Sequence, residues 1–163
     1  MSLRCWMPRV DPGHIMKLGD TNDIRVKICG LTQARHVQIA AQAGVSYIGL
    51  VFIAKSPRNL AFDAAHALAL TVPAGIAKVA LTLNADDAFL DQMIASVPLD
   101  MLQLHGNETP DRVAQLRDRF GLPILKAVGI SSADDLGALD DYSRVADLLL
   151  VDARPTKDGA LPG

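Results

Sequence analysis

Six times between Arg25 and Asp152, a short apolar run is followed by a stretch with helical spacing, recurring about every 20–25 residues. The runs lie at 25–29, 47–52, 76–83, 100–104, 124–128 and 147–151, and the intervening helices are expected near 33–43, 63–71, 86–97, 109–120 and 133–142. Regular β-then-α repetition leaves two architectures, a (β/α)₈ (TIM) barrel or an open doubly wound sheet. An open sheet usually carries a glycine-rich phosphate turn after its first strand. Here that turn is Cys29, Gly30, Leu31, Thr32, which fits neither common pattern. Polar residues also stand at the ends of strands one, two, four and six. A barrel mouth gathers those ends, so the α/β class with about six units of a TIM barrel over 24–163 is expected. Residues 1–23 hold Pro8, Pro12, Gly13 and Gly19 without periodicity, and are expected to be a flexible extension.

The first strand carries the sharpest chemical signal. Val26 and Ile28 alternate with Lys27 and Cys29, so a lysine and a thiol share one face at the carboxyl end of a strand read as buried. Gly30 permits a tight turn, and Thr32 is a suitable N-cap for the helix after it. Most free cysteines are simply small buried hydrophobes. A thiol at a strand's carboxyl end, beside a helix start and a lysine, sits where the thiolate is favoured.

Other candidates follow from position. Asp152 comes directly after an apolar run, where a carboxylate either caps the next segment or acts as a site acid. Desolvation there would favour its protonated form. Arg58, in Ser56, Pro57, Arg58, is either a solvated loop residue or a bidentate clamp for a carboxylate or phosphate. His105 is either a turn-capping histidine before Gly106 or a site residue. His14, His36 and His66 lack metal-ligand spacing, so no metal site is expected.

Composition closes off other classes. The net charge of −2, with mixed signs, favours neither nucleic acid nor a membrane surface as partner. No apolar run approaches the ~20 residues of a membrane span, and no signal peptide is recognisable. Two cysteines, Cys5 and Cys29, are too few for a disulfide framework and fit a reducing, cytoplasmic setting. A single bridge stays open.

Five segments occur in order: Lys27, Ile28, Cys29, Gly30; Ile48, Gly49, Leu50, Val51, Phe52; Ser56, Pro57, Arg58; Leu102 through Glu108, which reads LQLHGNE; and Leu149, Leu150, Val151, Asp152, Ala153. Together they resemble the phosphoribosylanthranilate isomerase family, (β/α)₈ enzymes of tryptophan biosynthesis. The resemblance runs from Arg25 to the C-terminus, and the ordered combination is far more specific than any one segment. It implies an Amadori rearrangement of a small phosphosugar, N-(5′-phosphoribosyl)anthranilate, with no cofactor. By resemblance Asp152 is the general acid on the furanose ring oxygen and Cys29 the general base at C2′. Arg58 faces the anthranilate carboxylate, with Lys27, Gly30 and His105 as further substrate contacts.

The chain departs from the family in three places. Arg35 and His36 stand where the first helix often opens with acidic residues, and Gly129 lies where a basic residue is common nearby. The family also continues for two further βα units, which bring a phosphate site, beyond the point matching Leu161, Pro162, Gly163. On this reading the sequence is C-terminally incomplete, and strands one and six keep unpaired apolar edges. A polypeptide ending at Gly163 is expected to be inactive and to aggregate or self-associate through them. Two competing functions remain: a non-catalytic, barrel-derived binding module, and a related aldose–ketose isomerase using paired aspartates. Cys29 at the end of strand one argues against the second.

Overall fold

The computed structural model describes residues 24–153; the expected extension over 1–23, with Cys5 and His14, and the tail over 154–163 lie outside the described residues. The elements run β1 (Lys27–Cys29), α1 (Ala34–Gln42), β2 (Tyr47–Val51), α2 (Phe62–Ala69), β3 (Ala77–Thr82), α3 (Asp87–Ser96), β4 (Met101–Leu104), α4 (Pro110–Phe120), β5 (Ile124–Ile130), a 3₁₀ turn (Ala133–Leu136), α5 (Gly137–Ser143) and β6 (Leu148–Ala153). All six strands are parallel and neighbour one another in sequence order, β1 to β6. The sheet is curled into the partial barrel that the repeat pattern implies.

Strand periodicity sorts the side chains into two layers. Ile48, Leu50, Ala80, Leu102, Leu104 and Ile124 face the helices and pack on Val37, Leu68, Leu90, Met93, Val113 and Leu116. Each such burial is worth about 1.5–3 kcal/mol. The opposite, concave face has a smaller cluster of Val79, Met101 and Leu125, with Tyr47 against it. Parallel register places Cys29 beside Gly49 and Asp152 beside Gly129, all on this concave face.

Local chemistry explains most boundaries. Asp86 caps α3 by accepting from the Phe89 amide at 2.8 Å. Thr109 caps α4, Pro110 opens it, and Gly121 at φ 62° ends it in the left-handed conformation.

Four expectations need correction. Thr32 does not cap α1: the N-cap is Gln33, without a side-chain cap bond, because the chain after Gly30 stays extended longer than the sequence implies. The first strand is not buried. Among the described residues it pairs with β2 alone, and Val26 is 44 % and Ile28 39 % exposed. The fifth helix opens as a 3₁₀ turn, because the Asp135 carboxylate takes both the Ser131 and Ser132 amides and pins the start. Finally, β5 and β6 both extend to pair Gly129 with Asp152 and Ile130 with Ala153, so Asp152 lies within the ladder rather than after it.

Candidate active site

Two clusters of polar side chains stand at the carboxyl ends of the strands. The first is built on β1 and β2, around two glycines. Gly30 has φ +81°, and its amide donates to the Gly49 carbonyl at 2.8 Å. A Cβ on Gly30 would meet the Arg58 side chain, with Nε at 2.8 Å, so the guanidinium lies directly over this backbone. Arg58 Nη1 reaches the Cys29 carbonyl at 3.5 Å, and the Arg58 amide donates to Ser56 Oγ at 3.1 Å. The bridge between Val51 and Asn59 fastens that loop back to β2. A Cβ on Gly49 would stand 2.5 Å from Cys29 Sγ and 2.9 Å from Lys27 Nζ. The thiol and the ammonium therefore share the space left by one missing side chain. Lys27 is thereby the cationic neighbour of the thiol, and α1 begins only at Ala34.

The second cluster is built on β4, β5 and β6. His105 Nε2 lies 3.3 Å from Asp152 Oδ2. Gln103 Nε2 lies 3.0 Å from His105 Nδ1. Beneath them runs a buried ion pair that sequence reasoning missed: Lys126 Nζ meets Glu108 Oε2 at 3.1 Å, with side chains 2 % and 4 % exposed. Lys126 also donates to the carbonyls of Gly106, at 2.7 Å, and Leu104, at 3.3 Å. Glu108 accepts the amides of Asn84, at 2.8 Å, and Gly106, at 2.9 Å. Asn84, at φ 48°, turns its Oδ1 to the Asn107 amide at 2.7 Å. Three successive strand ends are thereby bolted together. Tyr142 donates to the Glu108 carbonyl at 2.9 Å, and burial, with the Glu108 and Asp141 charges adding, pushes its phenol above the ordinary value.

His105, Gly106, Lys126, Gly129, Tyr142 and Asp152 help line a cleft of about 370 Å³. A larger hollow of about 790 Å³ lies at the opposite, amino ends of the strands, beside Ser46, Lys78 and Asp100, away from every expected site residue. Asp152 itself is 56 % exposed at its side chain, and among the described residues β6 pairs with β5 alone. Among the described residues, no group of three or more His, Cys, Asp or Glu side chains could hold a metal ion, and no helix is long and apolar enough to cross a membrane.

A family model for N-(5′-phosphoribosyl)anthranilate (PRA) isomerase matches residues 26–161. The chain belongs to that family. It is 55 % identical over 140 residues to the N-(5′-phosphoribosyl)anthranilate isomerase of Paracoccus denitrificans, a match covering 86 % of this chain and 65 % of that relative. The solved phosphoribosyl anthranilate isomerase of Thermotoga maritima superposes with a TM-score of 0.76 at 26 % identity, covering 85 % of this chain and 66 % of that one. Another solved phosphoribosyl anthranilate isomerase, in complex with reduced 1-(o-carboxyphenylamino)-1-deoxyribulose 5-phosphate, superposes with a TM-score of 0.73 at 26 % identity over 80 % of this chain and 66 % of that one. The chain spans just under two thirds of the length of the curated relatives it matches most strongly.

Within this member of the isomerase family, the six expected site residues fall in two clusters toward the strands' carboxyl ends, with Lys27 opening β1 and its ammonium reaching the space beside Cys29. Cys29, Lys27, Gly30 and Arg58 form the first cluster, and His105 with Asp152 the second. Gln103, Lys126, Glu108 and Asn84 had no assigned role. A polar residue inside an apolar strand, as Lys126 is between Leu125 and Ala127, was the signal available for two of them.

Proposed function

We propose that this chain carries the acid–base groups of an N-(5′-phosphoribosyl)anthranilate isomerase. The observation that carries the reading is a thiol and a carboxyl at the carboxyl ends of β1 and β6, both on the concave face, in a chain of this family. The anthranilate nitrogen pushes its lone pair toward C1′ and the C1′–O bond breaks. Asp152 hands a proton to the departing ring oxygen, which leaves an open-chain iminium. The Cys29 thiolate then takes the C2′ proton. That bond's electrons form C1′=C2′, and the iminium pair returns to nitrogen. Proton gain at C1′ and loss from the 2′-hydroxyl complete the ketone. One acid and one base on opposite sides of a sugar suffice for this sequence.

Arg58 offers a planar fork for the anthranilate carboxylate, directly above Gly30. Lys27, Gly30 and His105 line the same mouth. The reading makes the substrate a small phosphosugar and the protein a cytoplasmic enzyme of tryptophan biosynthesis. Turnover of N-(5′-phosphoribosyl)anthranilate tests it. In the complete protein, Cys29→Ala and Asp152→Asn should each lower kcat by about 10²- to 10⁴-fold, with KM changing far less. Near-normal kcat in either variant removes that residue from its role, and a complete wild-type protein, with the two further βα units, that shows no turnover removes the function.

A further inference from the structure

His105 has both ring nitrogens taken, by Gln103 on one side and Asp152 on the other. We propose that Gln103 holds His105 as its neutral, Nε2-protonated tautomer, and that His105 is the positioning residue that orients the Asp152 carboxyl for proton delivery. The orienting role is stated in terms of the isomerase reading above; the tautomer is not.

Gln103 is 1 % exposed and sits two residues before His105 on β4, so both side chains rise from the same concave face. Its amide nitrogen is the atom facing Nδ1, at 3.0 Å. An N–H donated to Nδ1 requires that nitrogen to be bare. The ring's single proton then sits on Nε2, aimed at Asp152 Oδ2 3.3 Å away. A neutral ring with the opposite tautomer would set Nδ1–H against the Gln103 Nε2–H donor, and its bare Nε2 would draw the carboxyl proton that Asp152 has to give. Gln103 Oε1 is buried with no partner among the described residues, so the contact with Nδ1 is the one hydrogen bond this side chain makes there.

The ring is also held from below. The His105 amide donates to the Thr82 carbonyl at 3.0 Å, and the next residue, Gly106, is gripped by Lys126 and Glu108. A Cβ on Gly106 would collide with Asn84, so this turn cannot shift toward β3. The nearby charges of Lys126 and Glu108 are directed at one another.

The chemistry explains why the neutral tautomer matters. Nε2–H occupies Oδ2 and leaves Oδ1 to carry the proton. As that proton moves to the sugar ring oxygen, negative charge grows on the carboxyl and the N–H···O bond becomes charge-assisted. The bond is therefore stronger in the transition state than before it, which is the condition for lowering the barrier. A cationic ring would favour the carboxylate before reaction and leave no proton to give.

Nitrogen-15 spectra of the histidine-labelled protein, with His105 assigned by its loss in His105→Gln, read the tautomer directly. One protonated nitrogen, Nε2, on a neutral ring is the expected result at neutral pH. Gln103→Glu, which offers Nδ1 an acceptor, should move the proton to Nδ1 or make the ring cationic, and lower kcat about tenfold with KM little changed. His105→Ala should lower kcat about 10- to 10²-fold. His105→Gln should recover part of that, because its Nε2–H reaches toward Oδ2. A wild-type ring protonated at Nδ1, or cationic, overturns the inference, and so does a His105→Ala variant that raises KM at unchanged kcat. If the wild-type protein has no isomerase turnover, the function fails, yet the wild-type spectrum still decides the tautomer.

Discussion

The two halves of the candidate site are held in place by opposite means. Around Asp152, side chains fill the space: Lys126, Glu108, Asn84 and Gln103 knit three strand ends through buried and part-buried hydrogen bonds. Around Cys29, space is left open, and Gly30 and Gly49 make room for Arg58, Lys27 and the thiol. The carboxyl end is preorganised by a dense polar network, in which Gln103 Oε1 is left without a partner among the described residues. The thiol end depends on close backbone approach and on long cationic side chains. Disturbing the first should therefore register as lost stability, and disturbing the second as lost geometry.

The largest expected effect tests the first half of that contrast. Lys126→Met leaves Glu108 as an uncompensated buried charge, so urea unfolding should show a loss of about 3–5 kcal/mol. Lys27→Met, on the open side, should change stability by less than about 1 kcal/mol. Equal losses in the two variants would erase the distinction.

Gly49→Ala probes the second half. The added methyl would enter the space of Cys29 Sγ and Lys27 Nζ. The displaced thiol should lower kcat by about 10²-fold, while overpacking costs only about 1–3 kcal/mol. Unchanged turnover would mean that the glycine floor does not set the thiol's position.

Arg58→Lys is a smaller disturbance of the same cluster. Losing the guanidinium fork should raise KM about tenfold, with kcat nearly kept and no change in the urea midpoint. A lysine that binds as well as arginine would remove the fork from recognition.

The smallest effect lies outside both clusters and serves as their reference. A hydrogen bond from Arg112, then the charges of Arg112 and Arg119, hold the Asp87 carboxyl below its ordinary value of 3.8, against a smaller opposing effect of burial. Its stabilisation is full above that value and is lost as pH falls through the lower folded value. Asp87→Asn should therefore be slightly less stable than wild type at neutral pH, and the gap should close well below pH 3.8. A gap that widens in acid would reverse the assignment.

Much was legible in the chain itself. The βα repeats gave six strands and five helical stretches within a few residues, because apolar periodicity and caps such as Asp86, Thr109 and Gly121 are local signals. Cys29, Arg58 and Asp152 were equally visible, as reactive residue types at strand ends in an ordered set of motifs. What tertiary structure alone decided was which of these groups touch. Nothing near Gly49 in the chain says that it floors the thiol; that follows from the register of β1 on β2. Asp152 became part of a ladder rather than a loop only when β5 grew to pair with it. Lys126 and Glu108 are distant in sequence and look like ordinary charges there. They become one buried pair because the register of β5 on β4 sets Lys126 beside Leu104, under the turn that carries Glu108, and the cost of burying either charge alone is what holds them together.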